Sequence, residues 1–583
     1  MNDDNRVYKS QLYPSKNIDL ENKDKDSKEK RWMYKVNNEE FVPSEYDAEK
    51  LYCLISKLKG RNKETNELKK MFNCKDDDEV KDFLRDIYLS LPKGNKNSEN
   101  LGWASDIKVD VVKGSIYKIK KYFLENNNLK DIRGGSILID YLNNDVVIEI
   151  LSENGFSEEN IVYCGGGNIF IVVPSGEGKK VCKLLEEAFG NIALTAMNAF
   201  ESITISLYEF AFDFKHISGA LSEKLEERKK LKLYKVNPDN DLEGIKIKEK
   251  SINFSDYKEA DELKNSGVVC KLCDIRDAKY LIEENEGLVA VCPSCLRKHL
   301  AGKAKSIFND EFKEYTHIEL KNNNITSIDD IDKDSNNIAV IYGDGNNMGK
   351  IVMEIQNVFE MMYFSRKTDK ITKRSVYQAI NETMGEDAKF EVIALGGDDI
   401  FIIVPAKDAF KIATKIIDKF DKGFDNEITM SIGIVISKSN TPIASLFAIA
   451  QQKLKSAKAI IKKSKAIKEG SIDIVELLGN MHINLNHKGV FPVTNSRFKL
   501  ILKEIEDFKI KNKEISQLHK ISYAQKNMIE EEFQLFYYYQ ESKKKNKDES
   551  IDQLIKRIYG KSEERSCPYK IRWDDLILIW KMV

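Results

Sequence analysis

Two adjacent carboxylates, Asp398 and Asp399, follow Gly396 and Gly397 and run straight into the apolar stretch 400–404. Glycine gives the backbone freedom of a tight hairpin and lets a phosphate approach the main chain. A carboxylate pair at a hairpin tip can hold Mg2+ or Mn2+, which take carboxylate and phosphate oxygens as ligands. Gly and Asp are also ordinary turn residues, so the hairpin alone does not decide the matter. Upstream, residues 337–342 form an apolar run that reads as a buried strand, with Asp344 at its carboxyl end. The turn Gly345-Asn346-Asn347-Met348-Gly349 offers backbone N–H groups suited to a triphosphate, and a helix is expected over 351–363. Asp344, Asp398 and Asp399 together would share two metal ions, about 4 Å apart, for an in-line displacement at phosphorus.

An internal repeat supports this reading. Residues 163–174 and 394–405 are identical at seven of twelve positions without a gap. The differences fall on the chemistry: Gly167 and Asn168 stand where the second copy has Asp398 and Asp399. Strand-like stretches, 202–207 and 428–435, follow the two copies. The chain therefore reads as two polymerase-like palm domains, one with metal carboxylates and one without. The hairpin Gly165-Gly166-Gly167-Asn168 would shape an acceptor pocket.

The elements that must position these residues are spread over 583 residues, enough for several domains. A hydrophobic content of 42% supports several packed cores, and 93 basic against 94 acidic residues leave no global charge to mark a nucleic-acid binder. No run of apolar residues is long enough for a transmembrane helix, and the first residues carry no signal-peptide core. Cysteine usage fits a reducing cytoplasm. The expected fold is α+β and multidomain. It comprises a mixed domain over 1–104, with helices at 48–59 and 78–91 and a linker at 96–100. A first ferredoxin-like palm over 105–220 opens on a strand at 106–112. A helical zinc-binding domain is expected over 221–335, the catalytic palm over 336–476 and a helical domain over 477–583.

Cys270, Cys273, Cys292 and Cys295 form two C-x-x-C knuckles, the spacing of a closed tetrahedral zinc site. Such a site is structural, because no ligand position stays open. With four sulfurs in place, His299 is expected on the surface and not as a ligand. Residues 453–468 hold seven lysines and no acid. Lys458, on the polar side of a helix over 446–458, is the candidate to reach the triphosphate; the others read as a solvated face. Phe533, Phe536, Tyr537, Tyr538 and Tyr539 read as helix core and not as a base-stacking platform. The run Lys543-Lys544-Lys545-Asn546-Lys547 reads as an exposed loop or helix end.

Together with Leu129-Lys130-Asp131-Ile132-Arg133-Gly134-Gly135-Ser136, these motifs resemble the large, polymerase-like subunit of type III CRISPR effector complexes, of the Cmr kind. The resemblance covers roughly residues 105–476. It implies a subunit that sits with smaller subunits on a guide RNA. When the guide pairs with target RNA, the palms convert ATP into a second messenger. The product is a cyclic oligoadenylate or, in some relatives without an HD nuclease, AMP joined to S-adenosylmethionine. The chain departs from the family in two places. Its first histidine is His216, so residues 1–105 supply none of the histidine ligands of an HD nuclease, and no DNase activity is expected. Asn346 stands where the family often has Asp, which leaves Asp344 and the Gly345 carbonyl to complete the metal site. Two other readings are a stand-alone cyclic dinucleotide cyclase and a non-catalytic scaffold. The two palms in one chain argue against the first, and the intact Asp398–Asp399 pair argues against the second.

Overall fold

The computed structural model describes residues 108–583 apart from single residues and short stretches, of which 232–243, 478–488 and 543–549 are the longest. The domain expected over 1–104, with its helices and linker, and the 543–547 run lie outside the described residues. Two compact units emerge. One holds the described residues up to Phe308 together with Asn347–Ile371, and the other holds Asn309–Asn346 and Thr372–Val583.

In the first unit, β1 (Lys108–Tyr117) is followed by α1 (Ile119–Phe123) and α2 (Leu129–Tyr141). Then come β2 (Ile161–Gly165), β3 (Asn168–Pro174), α3 (Gly178–Ile192), β4 (Met197–Ser206) and α4 (Phe214–Leu231). The sheet order is β2-β3-β1-β4, with every neighbour antiparallel, which is the ferredoxin-like arrangement expected. β1 runs five residues beyond the stretch read from alternation, because its second half is buried between two neighbours. The expected boundary at 220 falls inside α4, which packs on β1 and β4.

Two carboxylate devices shape this sheet. Asp110 is buried in β1; its Oδ2 accepts the N–H groups of Gly176 and Gly178 at 2.9 Å each, and its Oδ1 accepts the Thr204 hydroxyl at 2.6 Å. That ties the start of α3 to the sheet. At the edge, N–H groups of β4 go to glutamates: Phe200 to Glu186 at 2.9 Å, Ser202 to Glu201 at 3.1 Å and Ser206 to Glu209 at 2.6 Å.

Besides its helices, the region expected to be a helical zinc domain carries two hairpins. These are β5 (Gly244–Ile247) with β6 (Lys250–Asn253), and β7 (Tyr280–Glu284) with β8 (Gly287–Val291). The helix α5 (Pro293–Ala301) follows and packs on α2. The packing is backbone to backbone. A Cβ on Gly134 would lie 1.7 Å from the Lys298 carbonyl oxygen, and one on Gly302 would lie 2.0 Å from that of Lys130. This gives the Arg133-Gly134-Gly135 stretch a physical reason: no side chain fits between the helices.

In the second unit, β9 (Asn337–Gly345), β10 (Glu391–Gly396), β11 (Asp399–Pro405) and β12 (Met430–Lys438) repeat the frame, in the order β10-β11-β9-β12. α6 (Ala409–Gly423) precedes β12 and α7 (Ile443–Lys463) follows it. β13 (Ser471–Glu476) then adds parallel to β12, and β14 (Val493–Thr494) adds antiparallel to β13. Gly433 lets α7 lie close on β12, since a Cβ there would meet the Ala450 carbonyl oxygen at 2.3 Å.

The tail is helical as expected: α8 (Asn495–Lys511), α9 (Ser516–Asn527), α10 (Glu530–Ser542), α11 (Ile551–Tyr559) and α12 (Trp573–Met582). The aromatic run divides, against the expectation that all five are core. Phe533 and Tyr537 are fully buried, against Tyr569 and Trp573 respectively. Tyr538 and Tyr539 are exposed, because the helical period turns them to the other side. Among the described residues no helix is long and apolar enough to cross a membrane.

Two glycine substitutions test this packing. Gly134→Ala should destabilise the first unit by about 1–3 kcal/mol or more, since overpacking here meets backbone and not a flexible side chain. Gly190→Ala, in α3 with open space around it, should be neutral or stabilising by up to about 1 kcal/mol. Urea unfolding of the two variants followed by circular dichroism compares them; equal midpoints would refute the close contact of α2 with α5.

Candidate active site and metal centre

β9 lies between β11 and β12, and this fixes where its end falls. Ile400 is opposite Gly343, and Asp344 is opposite Ser431. In the β10–β11 hairpin Gly396 faces Asp399, so Gly397 and Asp398 form the two-residue turn. Gly397 has φ +58°, with open space around it. The structure thus brings Asp344, Asp398 and Asp399 to one end of the sheet, all half-buried. Burial first, then a hydrogen bond to Asp344 and the charges of Asp344 and Asp399, hold the Asp398 carboxyl well above the usual carboxylate range. Acids gathered this closely are a ready ligand set for a divalent cation, which would relieve the repulsion among them.

Lys458 sits in this cluster. Its ammonium is 2.7 Å from Asp344 Oδ2 and donates to the Gly345 carbonyl at 2.8 Å. It therefore engages the two groups expected as metal ligands on β9, a contact the sequence does not reveal. Tyr342, two residues before Asp344, donates its hydroxyl to Asp399 Oδ1 at 3.2 Å. It was missed, since a tyrosine in an apolar strand reads as core.

Asn346 is placed differently from its neighbours. It is buried; its amide donates to the Thr429 hydroxyl at 2.8 Å, and its Oδ1 accepts the Ser431 hydroxyl at 2.9 Å. Ser431 continues to Ser471 at 2.8 Å, and Ser471 donates to the Ala457 carbonyl at 2.8 Å. The Asn346 amide thus pins β9 to β12 and β13. Asn347 has φ +60° and caps the short helix Met348–Glu354, which replaces the first half of the helix expected over 351–363. Asn347, Met348 and Gly349 belong to the first unit and Asp344 to the second.

In the first palm, Gly166 and Gly167 have φ +58° and +78°, as a type I′ turn requires. Gly165 and Gly166 have open space around them. Gly167 does not: a Cβ there would lie 2.3 Å from Ile119 Cδ1. Asn168 is exposed and faces Ser115 across the strands.

The four cysteines converge, with ligand sulfurs within 4.8 Å of one another and all four residues buried. Cys270 lies in the turn before β7, and Cys292 caps α5, whose first turn carries Cys295. The set fits tetrahedral zinc. Hydrogen bonds from the Cys292 and Cys295 thiols hold the Cys270 thiol well below its usual value. Asn126 donates to Cys295 Sγ at 3.2 Å. Arg276 approaches Cys273 Sγ at 3.7 Å and pairs with Glu125 at 2.6 Å. Lys298, fully buried, pairs with the same glutamate. Asn126 and Glu125 come from the α1–α2 connection, so the cluster is continuous with the first palm.

His299 is not on the surface, contrary to expectation. It is buried, with Nδ1 2.9 Å from Asp131 and Nε2 2.8 Å from Glu284. It is not one of the four clustered ligands. Its place on the inner face of α5, against α2, explains the burial, and only the close contact of those helices reveals it.

Known proteins resemble this chain in two segments. The family model for Cas10/Cmr2, second palm domain, matches residues 337–467, and that for Csm1 subunit domain B matches residues 111–245. Over these segments the chain is similar to the Cas10 large subunits of type III systems. A curated relative from Streptococcus thermophilus, the CRISPR system single-strand-specific deoxyribonuclease Cas10/Csm1 of subtype III-A, is 22% identical over 374 residues. That match spans 54% of this chain and 47% of the relative, so the Cas10-like chain covers about half of its length. Among solved structures, a Csm1–Csm4 cassette in complex with pppApA has a TM-score of 0.55 at 16% identity, covering 86% of this chain and 74% of the other. A Csm1–Csm4 cassette in complex with one ATP has a TM-score of 0.55 at 15% identity, with the same coverage. These structures share the fold.

The metal centre yields a direct test. The chain should carry one zinc, and Cys270→Ser with Cys273→Ser should remove it and loosen the first unit, since structural zinc contributes several kcal/mol or more to folding. Elemental analysis and limited proteolysis read the two effects; a metal-free variant as protease-resistant as the parent would overturn the structural role.

Proposed function

We propose that this chain is the nucleotidyltransferase subunit of a type III CRISPR complex. It would transfer AMP from ATP to an acceptor when guide RNA pairs with target RNA, alongside other type III subunits in the cytoplasm. The observation that carries the reading is the meeting of Asp344, Asp398 and Asp399 at the ends of paired strands, with the Asp344 and Asp398 carboxyls hydrogen-bonded. Asp344, the Gly345 carbonyl, Asp398 and Asp399 are the groups that would hold two Mg2+ or Mn2+ ions. Such ions, when bound, stabilise the attacking and leaving oxygens of an in-line displacement.

The chain's own residues do the positioning. Gly396 and Gly397 leave the hairpin tip bare, so a phosphate reaches the main chain there. Asn347, Met348 and Gly349 contribute N–H groups toward the phosphates, while Asn346 sets the strand end from within. Tyr342 orients Asp399. Lys458, held beside Asp344 and the Gly345 carbonyl, would supply positive charge to offset the leaving pyrophosphate. An acceptor oxygen forms a bond to the α-phosphorus, the bond to the β-phosphate bridging oxygen breaks, and pyrophosphate leaves; a hydroxyl acceptor loses its proton to water. The first palm, through the bare tip at Gly165 and Gly166 and through Asn168, takes the acceptor, a second ATP or S-adenosylmethionine. Positioning and charge neutralisation supply most of the rate in such transfers.

The deoxyribonuclease activity in the relative's name is not part of this proposal, since residues 1–215 contain no histidine to serve an HD-type site.

Asp398→Ala with Asp399→Ala should abolish product formation in the target-bound complex and leave its assembly intact, measured by product mass and by size-exclusion chromatography. Turnover of ATP at the parent rate would refute the catalytic assignment. Gly165→Trp, at a position with room for a side chain, should raise the acceptor's apparent KM several-fold while ATP binding at the second palm stays unchanged. The reverse pattern would exchange the roles of the palms.

A further inference from the structure

The helix that carries Lys458 is fastened to its sheet at three points along one face. Gly433 of β12 lets the Ala450 carbonyl come close, since a Cβ there would lie 2.3 Å from its oxygen. The buried Asp473 of β13 takes Lys453, whose ammonium is 3.3 Å from its Oδ1. Ser471 of β13, fully buried, donates its hydroxyl to the Ala457 carbonyl at 2.8 Å. Positions 450, 453 and 457 share a face of α7 by helical spacing, and 471 and 473 share a face of β13 by alternation. Lys458 comes directly after the last of these points, and its ammonium meets Asp344 Oδ2 and the Gly345 carbonyl.

Two of the three points belong to β13. Among the described residues the sheet of the first palm has no strand beyond β4, and α4, which follows β4 as α7 follows β12, packs on β4 and β1. The added strand thus stands in the palm that gathers the carboxylates. Its register is tied to theirs: Asp344, Ser431 and Ser471 form one row across β9, β12 and β13. The Ser431 hydroxyl has one proton to share between Asn346 Oδ1 at 2.9 Å and Ser471 Oγ at 2.8 Å, which leaves the Ser471 proton to the Ala457 carbonyl.

A lysine reaches its partner over a flexible four-carbon stem, so its ion pair alone fixes little. The register of the helix over the sheet decides where the ammonium can sit. A slide of one residue moves a helical position by about 1.5 Å and turns it by about 100°. A buried main-chain anchor one residue from Lys458 removes that freedom.

We infer that Ser471 and Asp473 are positioning residues for nucleotidyl transfer: from β13 they hold α7 in the register that sets the Lys458 ammonium beside Asp344. The inference rests on the transferase reading for its use.

The anchoring is read on the full chain without substrate. Acylation by acetic anhydride, followed by mass spectrometry, compares Lys458 with Lys455, an exposed lysine of the same helix. Ser471→Ala should raise the rate at Lys458 relative to Lys455 by about 2- to 10-fold, the scale of one lost hydrogen bond. Ser471→Cys, nearly isosteric with a weaker donor, and Asp473→Asn should shift it in the same direction, and they carry the test if the alanine chain does not fold. Ser437→Ala removes an equally buried hydroxyl at the far end of β12 and should leave Lys458 unchanged. In the target-bound complex, Ser471→Ala should lower kcat/KM for ATP, and should lower it no further once Lys458→Met is present, because residues that act through one another are not additive. A merely structural role would lower it equally in both backgrounds. Unchanged acylation of Lys458 in the Ser471 and Asp473 variants, or full additivity with Lys458→Met, would overturn the positioning role. A parent complex that makes no product refutes the transferase reading, while the acylation ratio still decides whether β13 holds Lys458.

Discussion

The arrangement depends on one constraint, the fixed register of β9 between two antiparallel partners. Asp344 is the last-but-one residue of a strand paired on both sides, so its side-chain direction is not adjustable. A slip of one residue would turn it to the opposite face and separate it from Asp398 and Asp399. Asn346 secures that register from below, joining β9 to β12 and β13 through buried hydroxyls. A residue that reads as a weakened metal ligand is, in the fold, what keeps Asp344 in place.

Gathering three carboxylates works against folding, and the site offsets this locally. Lys458 neutralises one acid, Tyr342 donates to another, and burial with its acidic neighbours raises the Asp398 carboxyl above its usual range. The first palm has the same strand order and the same two-glycine hairpin without the electrostatic cost, since its equivalent positions are Ser, Gly and Asn. One frame thus supports an acidic tip and an uncharged one, because strand pairing and turn geometry are set by the backbone and by glycine. The side chains at the tip are left open for chemistry.

The sequence shows much of this, and the limits of what it shows are physical. Asp344, Asp398 and Asp399 were legible because strand, turn and acid are consecutive. The four cysteines were legible because knuckle spacing is local, and the repeat because seven identities survive in twelve residues. What stayed hidden depends on contacts between distant segments. His299 seemed exposed because nothing nearby in sequence announces that Gly134 and Gly302 draw two helices together. Lys458 was legible as a lysine on a polar face, but its bond to the Gly345 carbonyl was not. In sequence Tyr538 and Tyr539 form one aromatic block with Phe533 and Tyr537, although the helical period divides them.

The glutamates along β4 have a consequence for how the chain behaves in company. The outer edge of β4 is where the second palm adds β13, so the frame is competent to accept another strand there. In the first palm that competence is blunted by Glu186, Glu201 and Glu209, which hold N–H groups that an incoming strand would need. Hydrogen bonds from Ser206 keep the Glu209 carboxyl below its usual range, so this part of the edge stays charged well into mild acid. Two copies meeting edge to edge would each have to give up these bonds and bring their carboxylates together. The first palm is thereby guarded against pairing with itself by carboxylates, the same chemical group that its sister gathers at the end of its sheet.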